Sequence, residues 1–570
     1  MDLNILIGGE AGQGLQTIGV ILAHAFTRMG FHVFADQDYE SRIRGGHNFF
    51  RIRVKDSRAL AASEKLDILL ALNKESLLLH YKELGLNGVA IVDSIRDPEL
   101  SSRYKILYMP MEEISLRVTG NKQAKNSAAL GALAGLTRID ISIFIRLIKE
   151  HFLKEELIDQ NIQTLKEGYN FIIDQKEFVD LAIESLPVKS ERMLINGNES
   201  IAMGALASGC KFLSAYPMTP TTPIIEYISS HSEEFRTVVI QPEDEIAAIH
   251  MAIGASYAGV RSMTVTSGGG FSLMVEGLGL AGMTETPVVI VLGQRPGPAI
   301  GLPTRTEQGD LLFCIHASHG EFPRAVLAPS SAEDAFWLTI KAFNLADKYQ
   351  IPVIILSDHY LATSYFTVDK FDLSSVYIDR GLPLIEDELS NPADYKRHRI
   401  TGSGISPRAL PSYSKALVIT DADEHDEEGH LTEDARTRTA MVEKRMKKSS
   451  SIRKDIALPL IYGPRTARVT LIGWGSTFGP LYEAINILNK QGMSINLLHF
   501  NELWPFPSQA VNRLIADVES LFAVESNATG QFASLFEAQT NKKIKGAILK
   551  YDGRPFTAQY IINALQRESL

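Results

Sequence analysis

Two cysteines in 570 residues are too few for a disulfide framework, a structural zinc site or an iron–sulfur cluster held by this chain alone. Cys210 and Cys314 lie far apart, which points to a reducing compartment and a cytoplasmic location. Long apolar runs are missing as well: none approaches the ~18 residues of a membrane span. The first residues read as a buried strand entering a glycine loop, not as a charged leader with a cleavage site. Basic stripes are scarce beyond 443–448 and the net charge is −10, so nucleic acid is not an expected partner. Metal-ligand spacing is also lacking. His316 and His319 near Cys314, and His425 and His430 by the acidic run 421–428, do not form a zinc pattern, and no metal site is expected.

What is present is ordinary for a globular protein: 45% hydrophobic and 22% charged residues. The length exceeds one hydrophobic core and implies roughly three or four domains. A strand–loop–helix rhythm predicts an α/β fold of several doubly wound parallel-sheet domains. Residues 1–185 form the first, with strands at 3–7, 32–35, 49–54, 68–72 and 89–93 and a helix at 17–29; 184–190 is a linker. Residues 196–375 form the second, with helices at 197–208, 224–230, 245–258 and 332–349. Its strands lie at 211–215, 237–241, 262–266, 288–292, 324–328 and 353–356. Residues 376–464 are irregular and charged, with one helix at 432–448; so long a break in a compact protein is usually functional or an interface. Residues 465–570 form the last domain, with strands at 469–473, 494–499 and 521–525 and a helix at 480–491.

The most informative stretch is 216–223. Pro217, Pro220 and Pro223 exclude helix and central strand, leaving a stiff loop that carries Tyr216 and the hydroxyls of Thr219, Thr221 and Thr222. It leaves the carboxyl end of a strand, where open α/β sheets bind ligands. Glu243, Asp244 and Glu245 open a helix whose Ile246, Ile249 and Ile253 recur at helical spacing. Acidic residues there complement the helix dipole. Glu245, with the apolar helix behind it, is also placed to act as a desolvated acid/base group. Thr266, Ser267, Gly268, Gly269, Gly270 and Phe271 form a glycine turn that lets backbone approach a flat ring or a phosphate. Arg295, at the end of a strand, suits bidentate recognition of a carboxylate. In the first domain the glycine loop 8–14 fits either a phosphate or a purely structural turn. Arg42 to Gly46 fits either an anion or a surface bend. Hydroxyl, carboxylate and arginine at three strand ends suit an anionic carbonyl substrate and a cofactor that needs proton transfer.

Taken in order, the segments 216–223, 243–245, 266–274, 294–304 with 308–310, and 319–321 resemble the α subunit of thiamine-diphosphate-dependent 2-oxoacid:ferredoxin oxidoreductases. Segments 423–429 through Lys444 and Arg445, then 524–527 with Gly530 and Gln531, and 551–555, continue the resemblance. Residues 1–185, with 8–14 and 44–46, resemble that family's γ subunit fused at the front. Met218, Gly269 and the pair Ala299–Ile300 depart from the family pattern, which bears on substrate more than on reaction class.

The resemblance implies a pyrimidine-type thiamine diphosphate domain at the centre and a transketolase-C-like domain at the end. It implies that Glu245 meets the cofactor's aminopyrimidine ring, with Pro217 and residues 266–271 lining that pocket. Thr219, Tyr216, Thr222 and Arg295 would bind the 2-oxoacid. The reaction would be oxidative decarboxylation to an acyl-coenzyme A, with two electrons leaving singly. The chain has neither a Gly-Asp-Gly diphosphate motif nor a Cys-x-x-Cys. A β subunit is therefore expected to bring the diphosphate and Mg2+ site and the iron–sulfur cluster, in a heterodimer or dimer of heterodimers served by ferredoxin. Gly12, Gly14, Arg44 and Gly45 would lie on the coenzyme A side. The segment 379–464 resembles a region of 2-oxoglutarate and broad-specificity α subunits, which favours 2-oxoglutarate over pyruvate or branched-chain 2-oxoacids. Two rivals predict otherwise: a reductase using 8–14 as a dinucleotide loop, and a non-catalytic scaffold subunit.

Overall fold

A computed structural model of the chain describes residues 1–12, 14–40, 46–93, 98–175, 181–188, 190–384, 394–411 and 416–568. It comprises two units, Met1–Ile195 with Ser364–Phe371, and Asn196–Thr363 with Asp372–Leu570. Among the described residues, no helix is long and apolar enough to cross a membrane.

In the first unit the apolar run Leu3, Ile5, Leu6 and Ile7 makes Asp2–Glu10 a strand buried on both faces. It lies inside a sheet ordered Lys105–Met109, Leu84–Asp93, Leu66–Ala71, Asp2–Glu10, His47–Lys55, His32–Asp38, Tyr365–Asp369 and Arg192–Asn196. The pairings on the Leu66–Ala71 side are parallel. Those through His47–Lys55 and Tyr365–Asp369 are antiparallel. A direct return from His32–Asp38 to His47–Lys55 needs no crossover helix, so it can only pair antiparallel. The strand Tyr365–Asp369 comes from far along the chain, within the span expected for the central domain, and completes this sheet instead. The glycine loop is shorter than expected, because Gly8 and Gly9 are still strand. Only Gly12 and Gly14 turn, at φ 84° and 68°, and Gly14 caps the helix Leu15–Arg28.

The second unit holds two sheets. One is ordered Glu502–Trp504, Ala325–Leu327, Pro352–Asp358, Val288–Gln294, Arg261–Thr266, Cys210–Ser214 and Val238–Ile240, parallel but for the first pair. The other is ordered Leu460–Tyr462, Ile495–Phe500, Val469–Trp474, Ser520–Glu525 and Gly546–Leu549, parallel but for its edge strand Leu460–Tyr462. They share a core: Ile249, Phe271 and Val288 pack in one cluster with Trp474, Leu498 and Phe500. The irregular segment carries a helix, Ala435–Asp455, capped by Asp434 and running several residues beyond the expected end at 448. That helix is pinned by a buried charge hub. Glu285, 1% exposed, meets Lys444, Lys448 and the Nδ1 of His398, while Arg397 donates to the Glu285 carbonyl. Burial opposes ionisation of Glu285, but the two lysines and His398 hold its carboxyl well below the usual range.

Candidate active site

The three acidic residues at 243–245 have three different fates. Glu243 is exposed, and Asp244 is spent as the N-cap of Glu245–Tyr257, accepting from the Ala247 amide at 2.8 Å. Glu245 is 4% exposed, and its Oε1 is buried without a hydrogen-bond partner. Against it lies the first turn of the helix Gly268–Met283. A Cβ at Gly270 would sit 2.6 Å from Glu245 Oε1 and 2.2 Å from Thr266 Oγ1, so glycine alone permits this approach. Phe271 points away into the core, edge-on to Phe313. Ser267 is fully buried, and its Oγ also lacks a partner. Gly269 is the open position of the turn, with only the Ala299 carbonyl within reach of a Cβ.

The proline loop is shorter than expected, because Thr222 and Pro223 already open the helix Thr222–Ser230, where a first-turn proline loses no intrahelical bond, and it divides its hydroxyls. Thr221 is buried and committed to the Met218 carbonyl at 3.0 Å, whereas Thr219 and Thr222 stay half-buried and Tyr216 is exposed. Asn198 holds the Pro220 carbonyl at 2.8 Å, and the Thr219–Pro220 peptide is cis. Arg295 joins this loop to its own: Nη1 donates to the Thr219 carbonyl at 2.8 Å.

Asp310 is a site residue that the individual motifs did not single out. Its carboxylate lies beside Gly268, 2.7 Å from where a Cβ would be. Burial pushes it up to about 6, against the pull of Arg295. Its placement depends on residues distant in sequence. Gln294 accepts from the Asp310 amide, Asn527 donates to the Gln308 carbonyl and Gln531 to that of Gly309, at 3.0, 3.1 and 2.6 Å. The motif around 524–531 is thus a bracket for 308–310. His359, also buried, is held near 3 by burial and then by Arg305 and Arg295, so it stays neutral.

In the first unit, Gly12 and Gly14 line a cavity of about 530 Å³ together with Lys122, Lys125 and Phe152. Arg44 and Gly45 lie outside the described residues. Among the described residues no group of three or more His, Cys, Asp or Glu is arranged to hold a metal.

Three family descriptions match in tandem: pyruvate ferredoxin/flavodoxin oxidoreductase over 4–171, the thiamine-diphosphate-binding part of pyruvate flavodoxin/ferredoxin oxidoreductase over 203–444, and core domain II of pyruvate:ferredoxin oxidoreductase over 467–561. The chain is 34% identical to the α subunit of a 2-oxoacid:ferredoxin oxidoreductase from Sulfolobus sp, over 99% of itself and 96% of that protein. It belongs to that family.

As a member of the 2-oxoacid:ferredoxin oxidoreductase α subunits, it is also 30% identical to the 2-oxoglutarate oxidoreductase subunit KorA of Mycobacterium tuberculosis, over 95% of itself and 89% of that subunit. The structure of 2-oxoglutarate:ferredoxin oxidoreductase from Magnetococcus marinus, solved with 2-oxoglutarate, coenzyme A and succinyl-CoA, superposes with a TM-score of 0.93 at 30% identity, covering all of both chains. The chain is therefore an oxidoreductase subunit, and neither the dinucleotide reductase nor the scaffold is favoured. The thiamine-diphosphate-binding match spans Glu245, the turn 266–271, Arg295 and Asp310. The residues fit that group: an unpartnered buried carboxylate oxygen stands over a glycine floor that no Cβ could share.

Proposed function

We propose that this α subunit supplies the aminopyrimidine side of a thiamine diphosphate site and the substrate-binding residues for oxidative decarboxylation of 2-oxoglutarate. The products would be an acyl-coenzyme A, CO2 and electrons for ferredoxin. One observation carries the reading: Glu245 Oε1, buried and without a partner. A buried acceptor left unmade costs about 1–3 kcal/mol, so a ligand N–H is the natural occupant of that place. Bound thiamine diphosphate supplies the electron sink that lets the bond between the carboxyl and carbonyl carbons of a 2-oxoacid break. Glu245 would hold and exchange the proton at Oε1, kept from water by Gly270 and the helix behind it. Pro217 and residues 266–270 would wall the ring, while Phe271, turned into the core, would support that wall from behind.

Arg295 commits one donor to the Thr219 carbonyl, leaving the rest of its fork for a substrate carboxylate beside Thr219, Thr222 and Tyr216. Gly12 and Gly14, with Lys122 and Lys125 in the same cavity, would take the anionic part of coenzyme A, and the role of Arg44 and Gly45 toward the same ligand rests on the resemblance alone. Ile246, Leu273 and Ile300 are 46%, 50% and 66% exposed close to the site, an apolar surface suited to a β subunit. That subunit would bring the diphosphate, Mg2+ and iron–sulfur sites, since two buried free cysteines cannot hold a cluster. Those free thiols also fit a cytoplasmic location. The names of the relatives, 2-oxoacid and 2-oxoglutarate enzymes alike, support the substrate class. Coenzyme A-dependent viologen reduction by the anaerobic complex with its β chain, over a panel of 2-oxoacids, tests the reading. Turnover fastest with 2-oxoglutarate upholds it; no turnover with any 2-oxoacid, from a complex that carries its cluster, overturns it.

A further inference from the structure

The C-terminal sheet has a cavity at the amino ends of its strands, the end opposite to that used by ligands of open α/β sheets. It measures about 380 Å³. Thr470 and Asn496 form its floor and are register partners on adjacent parallel strands, so their side chains stand together on one face. Farther along that face Ile472 and Leu498 are apolar core, which makes a polar pair at this depth unexpected. Thr470 is 3% exposed and Asn496 is 5% exposed, yet Thr470 Oγ1 and Asn496 Oδ1 have no hydrogen-bond partner. The Asn496 amide nitrogen is already given to the Pro464 carbonyl at 3.0 Å, which fixes the vacant atom as an acceptor.

The mouth carries Arg465 and Arg468 as well as Asp517 and Glu519, all exposed. A simple anion would meet the two carboxylates and a simple amine the two arginines. A molecule bearing both charges satisfies the set, and its ammonium supplies the donor that Asn496 Oδ1 lacks. We infer that this cavity is a second ligand site, separate from the candidate active site, and that it takes a small zwitterionic amino acid.

Titration calorimetry on the full chain, purified with its partner subunit, tests this with L-alanine, L-glutamate and 4-aminobutyrate against succinate, inorganic phosphate and ethanolamine. Saturable binding of at least one amino acid is expected, retained in Glu245→Gln and weakened about ten-fold in Asn496→Leu through loss of one charge-assisted hydrogen bond. Thr470→Val should weaken it in the same direction. Arg468→Gln, at an exposed position, reads the carboxylate end without disturbing the floor. Three results each overturn the inference: no amino acid binds, succinate or phosphate binds as tightly as any amino acid, or affinity is unchanged in both Asn496→Leu and Arg468→Gln.

Discussion

Replacing Glu285 by glutamine changes one charge and almost no volume, yet it should be among the most damaging substitutions outside the active site. The residue is 1% exposed, and Lys444 and Lys448 converge on it at 2% and 0% exposure. Breaking a buried ion pair by removing one member typically costs about 3–5 kcal/mol, because the other charge stays buried. Here two ammonium groups are stranded, which places the loss at the upper part of that range. Part of it is recovered by proton release. Lys448 is already pushed down to about 8 by burial, even with Glu285 beside it. In the variant the folded lysines hold their protons still more weakly than in the parent, so the deficit narrows as pH rises toward about 8, where Lys448 of the parent also gives up its proton.

The assay is thermal unfolding at several pH values, paired with limited proteolysis at the helix Ala435–Asp455 that the hub pins. Removing the stranded charges as well, Glu285→Gln with Lys444→Met and Lys448→Met, should restore stability relative to the single variant. The reasoning is refuted if Glu285→Gln unfolds within ~0.5 kcal/mol of the parent, or if the triple variant is no better than the single one.

Gly270→Ala places a methyl 2.6 Å from Glu245 Oε1, so the rate with 2-oxoacids should fall well over ten-fold, while overpacking costs only about 1–3 kcal/mol of stability. Steady-state kinetics beside a melting curve separates the two effects. In the first unit His47 Nε2 lies 2.7 Å from His80 Nε2, and His80 Nδ1 lies 2.6 Å from Glu83. Burial and then His80 lower His47 to about 4, against the opposing pull of Asp38, Glu40 and Glu83. An unfolded histidine takes its proton near 6.5, so this contribution is complete above that pH and is lost progressively as pH falls toward 4. Urea titrations over that window should show the slope in the parent and its flattening in His47→Gln.

Strands buried on both faces were legible because they are continuous apolar runs: 288–292 and 353–356 appear as Val288–Gln294 and Pro352–Asp358. Lys105–Met109 and Arg192–Asn196 were missed. Both are short and carry charge, and they are strands only because a sheet edge receives them. Tyr365–Asp369 was missed for a topological reason, since its partner His32–Asp38 lies more than three hundred residues away. Glu245 could be separated from Glu243 and Asp244 by the apolar helix that follows it. Asp310 and Glu285 could not be found that way. The first is placed by Gln294, Asn527 and Gln531, the second by Lys444, Lys448 and His398, and no local pattern records such contacts.

The central claim is that Glu245 serves the cofactor through its unpartnered oxygen. It is tested most directly by Glu245→Gln in the complex with the β subunit, measuring thiamine diphosphate binding and coenzyme A-dependent viologen reduction together. The account predicts an assembled complex that still takes up thiamine diphosphate but turns over roughly 10²–10⁴-fold more slowly, the usual worth of a positioned proton-transfer group. Parent-like turnover in that variant would contradict it.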